Sequence, residues 1–259
     1  MLTNKEVPSQ EKELVQCEDG SYTLYSYDFK ESYHSSKDGA LRESLEKHVK
    51  PALSLKSKQK TLTVLDICFG LGYNTFATIY YMKKHRIKRK IQILSPEFDE
   101  ALVRSLNTFS YPLEFESIRY IIDAIAKDLY YEDDMFKIEV FLGDAREVIR
   151  DMSFSRDKID LIYQDAFSPL KNPLLWTYEW FRDIRAICKD DALLTTYSTA
   201  ASVRLGLDEN GFLLYAYQGE GVRASMLASL KLLEGMEPID MGLKRLRNPV
   251  AKSLHDEAY

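Results

Sequence analysis

The sequence contains few of the residues that build metal centres and disulfide frameworks. Its 259 residues include three cysteines and four histidines, which are scattered along the chain. The cysteines, Cys17, Cys68 and Cys188, are odd in number and show no metal-binding spacing. We therefore expect neither a disulfide framework nor a metal site. Unpaired thiols are typical of a reducing compartment, which predicts a cytoplasmic protein.

Long apolar runs are also missing. No run reaches 18 apolar residues, so we expect no membrane span. The polar start, MLTNKEVPSQEKELV, lacks the apolar segment of a secretory signal. A net charge of -5 argues against attraction of nucleic acid by overall charge, although local basic patches still bind RNA. Two such stretches occur, 83–90 and 244–247, and the ordinary interpretation of each is a solvated surface.

Hydrophobic residues are plentiful, at 45% of the chain, which is enough for the core of one large domain. Apolar runs alternate with helical segments, which is typical of an α/β, Rossmann-like fold with a mostly parallel sheet covered on both faces. The predicted strands are 61–67, 90–96, 138–144, 160–166, 192–198, 212–218 and 224–230. The predicted helices are 74–84, 99–109, 145–152, 174–187 and 199–209. Little separates the last two strands, so we expect an antiparallel seventh strand.

The residues before this alternation form a smaller unit. Residues 14–29 predict a hairpin that turns at Asp19-Gly20, and a helix follows from Asp38 to near Pro51. We therefore divide the chain into an N-terminal extension (1–60), a main domain (61–231) with an insertion at about 110–137, and a C-terminal tail (232–259). The insertion contains a predicted helix at about 116–130.

A glycine-bearing loop follows the first strand of the main domain and opens a helix. Gly70 and Gly72 lack Cβ atoms, so a ligand can lie against the backbone. The third glycine of the dinucleotide fingerprint is replaced by Thr75, and no P-loop motif is present. These differences argue against a nicotinamide dehydrogenase and against a P-loop nucleotide enzyme.

Two carboxylates follow the next strands in the order that an adenosine ligand requires. Glu97 can accept hydrogen bonds from both ribose hydroxyls, and Asp144 can accept from an adenine amino group. Each alone is more often a helix cap, but together with the glycines they indicate an adenosine-containing cofactor. The predicted cofactor contacts are Asp66, Phe69, Gly70, Gly72, Asn74, Glu97, Asp144, Ala145 and Asp165.

The fourth strand ends in a proline-bearing loop, QDAFSPLKNP, at residues 164–173. Pro169 and Pro173 stiffen this loop, and Asp165 lies at the carboxyl end of the strand. On these residues alone, the ordinary interpretation is a structural connection in which Asp165 caps a turn.

The longer segment DAFSPLKNPLLW, at 165–176, resembles the D-(G/A)-F-(A/S)-P-x-K-N-P-x-x-W motif of the tRNA 5-methylaminomethyl-2-thiouridine methyltransferases, the MnmC methyltransferase family. Further blocks of that family are similar to DGSYTLYS (19–26), ESYHS (31–35), GALRES (39–44), DICFGLGYNTF (66–76) and STAASVRLGLDENGF (198–212). The similarity covers roughly residues 18–230. Three departures stand out: Cys68 replaces a usual glycine, Leu71 replaces a common threonine, and only Arg223 remains of the basic residues usual near 219–226.

The resemblance implies a class I methyltransferase fold, with S-adenosyl-L-methionine as cofactor and tRNA as partner. It implies N-methylation of the 5-aminomethyl group of wobble 5-aminomethyl(-2-thio)uridine, which gives 5-methylaminomethyl(-2-thio)uridine. It further implies a stand-alone methyltransferase without a fused oxidase domain. The enzymes that install the aminomethyl group are further partners that the resemblance implies.

Asp165 is the candidate catalytic residue, because a carboxylate beside the substrate amine can orient it and take its proton. Aromatic side chains are candidates for stacking on the base, and cationic ones for contacting phosphates. Core packing and salt bridges are the respective alternatives. The predicted substrate contacts are Phe167, Pro169, Lys171, Asn172, Trp176, Tyr197, Arg204 and Arg223. Tyr33 and His34 are expected to help close the pocket.

Two rival functions use the same fold. A small-molecule amine methyltransferase agrees with the acidic composition, whereas the loop motif at 165–176 favours tRNA. A non-catalytic adenosine-binding module would tolerate loss of Asp165 and of the rigid loop, yet both are present.

Overall fold

The structure, a computed structural model, describes residues 11–152 and 158–259. Residues 1–10 of the polar start, which was predicted to carry no secretory signal, lie outside the described residues. The first described segment is an antiparallel sheet of β1 (Lys12–Gln16), β2 (Tyr22–Ser26) and β3 (Glu31–Ser32). This confirms the predicted hairpin, in which Gly20 takes a left-handed φ of 85° at the turn.

A helical stretch then runs in three consecutive parts. α1 (Ala40–Glu43) continues into a π-helical segment (Ser44–Val49) and then into α2 (Lys50–Leu55). The prediction that this helix ends near Pro51 is wrong, because Pro51 lies in the first turn of α2. A proline ring crowds the preceding turn of an α-helix. Here the preceding turn is wider, since the Lys50 N–H donates to Leu45 O five residues back.

The predicted strands of the main domain form one sheet. Its members are β4 (Thr61–Ile67), β5 (Lys90–Glu97), β6 (Tyr130–Glu132), β7 (Phe136–Leu142), β8 (Ile159–Gln164), β9 (Cys188–Thr196), β10 (Leu213–Tyr217) and β11 (Ser225–Ser229). Their order is β10-β11-β9-β8-β4-β5-β7-β6. The strands from β9 through β7 are parallel neighbours, and β11 is antiparallel to both β9 and β10, as expected.

The sheet has one more strand than the seven that were predicted. β6 pairs antiparallel with β7 at the sheet edge, inside the segment interpreted as an insertion. Its three residues carry no apolar alternation, because an edge strand is largely exposed and needs none. The helices are α3 (Tyr73–Lys84), α4 (Glu100–Ser105), α5 (Arg119–Asp128), α6 (Ala145–Met152), α7 (Tyr178–Ile187), α8 (Ala201–Glu209) and α9 (Met241–Arg247). Among the described residues, no helix is both long and apolar enough to cross a membrane.

Apolar side chains cover both faces of the sheet in two clusters. Along β4, Val64 belongs to one cluster and Leu65 to the other, as successive strand residues point to opposite faces. The first cluster also includes Val49 and Leu53 of the N-terminal helical stretch. The extension therefore shares the core of the main domain.

The strand order reverses beside β4. The chain passes from β4 to β5 and β7 on one side, and continues through β8 and β9 on the other. In open α/β sheets, ligands bind at the carboxyl ends of the strands at such a switch point. Ile67 pairs with Gln164 at the ends of β4 and β8, so the loops that follow these two strands lie side by side.

A buried lysine ties the helical stretch to the segment before it. Lys47 is 2% exposed, and its ammonium donates to Asp38 and Glu43, each at 2.7 Å. Arg223 Nε donates to the same Asp38 carboxylate at 3.1 Å. Buried charges are tolerated only when they are paired, so loss of Lys47 would leave two carboxylates without their shared partner.

We expect Lys47→Met to lower the free energy of unfolding by about 3 kcal/mol, because it leaves buried charge uncompensated. Lys50→Met is the matched control on the same helical stretch. Its ammonium pairs with Glu46 but its side chain is 38% exposed, and we expect a loss below about 1 kcal/mol. Urea denaturation measures both values, and equal losses would contradict a structural role for the Lys47 pairs.

Candidate active site

Two cavities meet at the carboxyl ends of β4, β5, β7 and β8. The large cavity, of about 330 Å³, is lined mainly by the loop after β4, the ends of β5 and β7, and the loop after β8. The acidic cavity, of about 260 Å³, is lined by residues 31–36 and by three carboxylates, those of Glu31, Glu43 and Asp165. Four residues line both cavities and so form the wall between them: Tyr33, His34, Asp165 and Phe167.

The glycine loop forms part of the large cavity, and close packing explains both of its glycines. Gly70 and Gly72 have left-handed φ values of 53° and 69°. A Cβ on Gly72 would lie 2.5 Å from the Phe76 ring, and one on Gly70 would lie 3.1 Å from the Tyr33 ring. Either addition would force the loop or its neighbour to move.

Glu97 lies at the end of β5 beside the glycine loop. Its Oε2 accepts from the Gly70 N–H at 2.7 Å, and its Oε1 accepts from the Asp99 N–H at 2.8 Å. Burial raises the pKa of Glu97 even though these donors oppose the shift. Since Glu97 lines the large cavity, its remaining lone pairs are available to hydroxyl donors there.

Asp144 and Ala145 also line the large cavity. Asp144 Oδ1 accepts from the backbone N–H groups of Arg146 and Glu147, at 2.7 and 3.4 Å, and so caps α6. The sequence left a cap and a ligand contact as alternatives for Asp144. Asp144 both caps α6 and lines the large cavity.

The C-terminal tail supports the wall of the large cavity through Arg146. The Arg146 guanidinium donates to Leu174 O at 2.8 Å and forms a two-pronged pair with Asp256. Asp256 also accepts from Thr177 Oγ1 at 2.7 Å. The tail is thus attached at the base of the loop that carries Asp165, close to the residues that line the cavity.

Asp165 follows β8 and lies between two buried histidines. Its side chain is 8% exposed, with His48 Nε2 at 3.5 Å from Oδ1 and His34 Nδ1 at 4.0 Å from Oδ2. The Asn74 amide donates to Oδ2 at 2.8 Å. Burial favours a raised pKa for Asp165, but His48 and Asn74 act against it, and the pKa lies below its usual value. Asp165 is therefore ionised at neutral pH.

Asp66 is a second buried carboxylate, behind the first. It accepts from Thr75 Oγ1 at 2.7 Å and from the Asn74 amide at 3.4 Å. Burial raises the pKa of Asp66 to about 8 despite these donors. The prediction of a cofactor contact needs correction, because Asp66 is buried and does not line the large cavity. It positions Asn74 instead, and Asn74 does line that cavity.

The loop after β8 is fixed by hydrogen bonds at three points. The Trp176 indole N–H donates to Phe167 O at 2.8 Å, and the Tyr197 hydroxyl donates to Ala166 O at 2.9 Å. The Ser168 hydroxyl donates to Glu31 at 2.7 Å. Trp176 is fully buried, so its predicted stacking on a base needs correction: the ring is core and holds the loop.

Aromatic rings from three segments meet at the large cavity. Phe167 stacks on Phe29, with ring centroids 4.3 Å apart and planes 19° apart, and meets Tyr33 edge-on at 4.9 Å. One face of Phe167 is therefore already covered. Phe98, which also lines the cavity, is 48% exposed.

The structure brings only some of the predicted substrate contacts together. Asn172 lines the large cavity, and Tyr197 and Arg223 line the acidic cavity. Lys171 is exposed beside Pro169 on the loop, outside both cavities. Arg204 is half-buried on α8 and lines neither cavity.

Sequence reasoning missed several residues of the site: Phe29, Glu31, Glu43, His48 and Phe98. Glu31 and Glu43 lie inside segments that carry the family resemblance, which was the available signal. His48 lies in a predicted helix and shows no motif, although its Nδ1 is 2.7 Å from Thr195 Oγ1 on β9. Only the three-dimensional packing brings it to Asp165.

Comparisons with known proteins identify the fold and the family. The model of a family described as S-adenosyl-L-methionine-dependent methyltransferase matches residues 116–231. The crystal structure of MnmC2 from Aquifex aeolicus superposes with a TM-score of 0.82 at 30% identity, over 97% of this chain and 80% of that one. The likeness confirms the predicted fold class.

Two curated relatives extend the comparison. An uncharacterized protein of Methanocaldococcus jannaschii is 31% identical over 223 residues, or 86% of this chain. The tRNA 5-methylaminomethyl-2-thiouridine biosynthesis bifunctional protein MnmC of Psychrobacter cryohalolentis is 22% identical over 267 residues, or 90% of this chain. The chain spans 60% of the length of the first relative and 37% of the second.

The raised pKa of Asp66 predicts a pH dependence of stability. Folded Asp66 keeps its proton up to about pH 8, whereas the usual pKa of an aspartate side chain in an unfolded chain is 3.8. The folded state binds more protons in this range, so this group lowers the free energy of unfolding as pH rises, by up to about 1.4 kcal/mol per pH unit. We expect Asp66→Asn, which is neutral at every pH, to lose less stability between about pH 5 and pH 8.

The measurement is urea denaturation of both proteins across that range. Asp190→Asn, which changes an exposed carboxyl, is the control and should follow the wild type. A slope for Asp66→Asn equal to that of the wild type would show that Asp66 is ionised in the folded protein.

The Arg146–Asp256 pair predicts that the tail affects ligand binding in the large cavity. We expect Asp256→Asn to weaken binding of S-adenosyl-L-methionine about fivefold, because loss of roughly 1 kcal/mol in a two-pronged pair loosens the cavity wall. Glu257→Gln, at the neighbouring exposed position, should bind normally. Isothermal titration calorimetry measures both, and unchanged affinity in Asp256→Asn would rule out support from the tail.

Proposed function

The chain belongs to the MnmC2-type family of S-adenosyl-L-methionine-dependent methyltransferases, and from that membership we propose that it methylates the 5-aminomethyl group of wobble 5-aminomethyl(-2-thio)uridine in tRNA. The product is 5-methylaminomethyl(-2-thio)uridine. One observation carries the proposal: Asp165 lies in the wall between a cavity that suits an adenosine cofactor and a cavity lined by carboxylates. The methyl donor and the amine acceptor would meet at this residue.

The residues of the large cavity fit S-adenosyl-L-methionine. Glu97 has lone pairs for the two ribose hydroxyls, and Asp144 has acceptor capacity for the adenine amino group. Asn74 Oδ1 is buried and accepts no hydrogen bond from the described residues, so it can accept one from the ammonium of the cofactor. When bound, the cofactor supplies a methyl group activated on a sulfonium.

The acidic cavity suits a substrate that arrives as an ammonium. Glu31, Glu43 and Asp165 give this cavity negative charge, and the Phe167 ring forms part of its wall. Carboxylates attract a cation directly, and an aromatic face adds a cation–π contribution. A wobble base can reach such a cavity, since bases of single-stranded loops are readily splayed out of the stack.

The chemical step follows from this arrangement. The amine nitrogen forms a bond to the methyl carbon while the bond from carbon to sulfur breaks, and the electron pair remains on sulfur. Asp165 holds the amine in line with the methyl group, which raises the rate by orientation. The sulfonium is already an activated leaving group, so the step requires no metal ion.

Exposed cations near the acidic cavity can contact the tRNA backbone. Arg223 has a side chain that is 67% exposed, and Lys171 is exposed on the loop after β8. Such contacts make binding depend on salt. We propose further that the protein acts in the cytoplasm, on tRNA supplied by the enzymes that install the aminomethyl group.

The test is transfer of labelled methyl from S-adenosyl-L-methionine to tRNA that carries the aminomethyl group, followed by nucleoside analysis. We expect label in 5-methylaminomethyl(-2-thio)uridine alone. Label on a small-molecule amine but on no uridine derivative would overturn the tRNA substrate and leave the methyltransferase activity intact.

We expect Asp165→Asn to lower the rate of methyl transfer at least 100-fold, because the amide cannot hold a positively charged amine. Cofactor affinity should stay within about threefold, since the substitution keeps the shape of the side chain. Asp134→Asn, at an exposed position on the far edge of the sheet, is the control. Single-turnover transfer to tRNA gives the rates, and a near-wild-type rate in folded Asp165→Asn would remove Asp165 from the reaction.

A further inference from the structure

We propose that His34, and not Asp165, takes the proton from the substrate ammonium, and that the acidic cavity carries this proton to solvent. This inference rests on the proposed function, because it concerns an amine substrate. Asp165 keeps the role of holding and orienting the amine. His34 is then a catalytic residue that the sequence indicated only as part of a closing segment.

The position of His34 is the first support. It lines both cavities, although its side chain is only 6% exposed. Its Nδ1 is buried and has no hydrogen-bond partner among the described residues. A buried nitrogen without a partner normally costs free energy, and at the wall of a substrate cavity it can receive a proton.

Two carboxylates flank this nitrogen. Nδ1 lies 4.0 Å from Asp165 Oδ2 and 3.9 Å from Glu43 Oε2. A proton taken up at Nδ1 would therefore lie between two negative charges, which stabilise the imidazolium as it forms. His34 is held in this place by two contacts. Its backbone N–H donates to Thr23 Oγ1 at 3.1 Å, and its ring makes a T-shaped contact with the Tyr73 ring, with centroids 5.0 Å apart.

The surroundings also set the resting state of the ring. Burial lowers the pKa of His34 most strongly, and His48 acts in the same direction. Asp165, Glu43 and Asp19 oppose this and raise it. The net pKa is lowered, so His34 rests as a neutral imidazole that can act as a base.

Asp165 is a poor proton acceptor. The pKa of Asp165 lies below the usual carboxyl value, since His48 and Asn74 stabilise its charge against burial. A general base works best when its pKa is near the working pH. The hydrogen bonds divide the two roles: Asp165 already accepts from the Asn74 amide at 2.8 Å and supplies fixed negative charge, whereas His34 Nδ1 has no partner among the described residues and is open to a proton.

The acidic cavity offers the exit. Glu43, beyond His34, also lines this cavity and accepts from Lys47 Nζ at 2.7 Å. Arg223 lines the same cavity and is largely exposed, so the cavity reaches the surface. Water in a polar space of this kind can accept the proton from His34 and carry it to bulk solvent.

Each step balances. The N–H bond of the ammonium breaks and an N–H bond forms at Nδ1 of His34. The free amine then gains the methyl group, as the bond from carbon to sulfur breaks and its electron pair stays on sulfur. The product leaves as a secondary ammonium, and His34 returns its proton to water, so one proton is released for each methyl group transferred.

The test is the pH profile of single-turnover methyl transfer in His34→Gln. Near neutral pH we expect a rate about 100-fold below the wild type, because general-base catalysis contributes about 100-fold or more. The defect should shrink as pH rises, because more of the amine is already deprotonated in solution. Cofactor affinity should stay within about twofold. His85→Gln, at an exposed position just after α3, is the control.

Asp165→Asn provides the comparison, since it should lose rate at every pH without recovery. Recovery at high pH in Asp165→Asn, with none in His34→Gln, would overturn the proposal and assign the proton to Asp165. So would a wild-type rate and profile in His34→Gln. In His34→Ala, added imidazole should restore part of the rate, and a merely structural histidine would not respond in this way.

The two proposals fail in different ways. If the proposed function is wrong, the wild-type enzyme gives no labelled uridine derivative in tRNA. If only the role of His34 is wrong, the wild-type enzyme labels the tRNA and His34→Gln labels it with the same rate and pH profile.

Discussion

A buried, ionised carboxylate must be surrounded by donors and positive charge, and Asp165 imposes this requirement on the whole molecule. A carboxylate taken out of water without partners costs several kcal/mol. Here Asn74 from α3 donates to the carboxylate, His48 from the N-terminal helical stretch lies 3.5 Å from it, and the neutral His34 from the segment after β3 lies beside it. The N-terminal extension packs into the main core through apolar residues such as Val49 and Leu53, and this packing brings His48 to Asp165.

The Asn74 amide lies between two buried carboxyl groups that differ in charge. The Asn74 amide donates to Asp165 at 2.8 Å and approaches Asp66 at 3.4 Å. Only Asp165 also has His48 beside it, so the pKa of Asp165 falls while burial raises that of Asp66 to about 8. Two carboxyl groups so close together avoid mutual repulsion when one of them stays protonated. The neutral Asp66 can therefore orient Asn74 without adding charge to the site.

Local pattern predicted the sheet well and the site only in part. The range 61–67 is β4 itself, because a parallel strand covered on both faces is mostly buried and therefore largely apolar. The continuation of the helix past Pro51 could not be predicted, since it depends on a π-helical turn that the local sequence does not indicate. The pairing of His48 with Thr195 joins residues 147 positions apart. Contacts between residues so far apart in the sequence are set by the fold. The fold also buries the Trp176 ring in the core, which its local sequence did not indicate.

Cys68, which stands where the family usually has glycine, shows that a glycine can be needed for two different reasons: a left-handed φ and a lack of space for a Cβ. Cys68, Gly70 and Gly72 all have left-handed φ values, of 64°, 53° and 69°. At Gly70 and Gly72 a neighbouring ring also occupies the space that a Cβ would need. Cys68 lines the large cavity, so its side chain has room and only the backbone conformation is unfavourable, at about 1–2 kcal/mol. A site can hold such strain when the surrounding structure fixes the loop: Phe69 N–H donates to Pro96 O at 3.1 Å, and Gly70 N–H donates to Glu97 at 2.7 Å. Glycine is therefore required where space is lacking, and can be replaced where only φ is unusual.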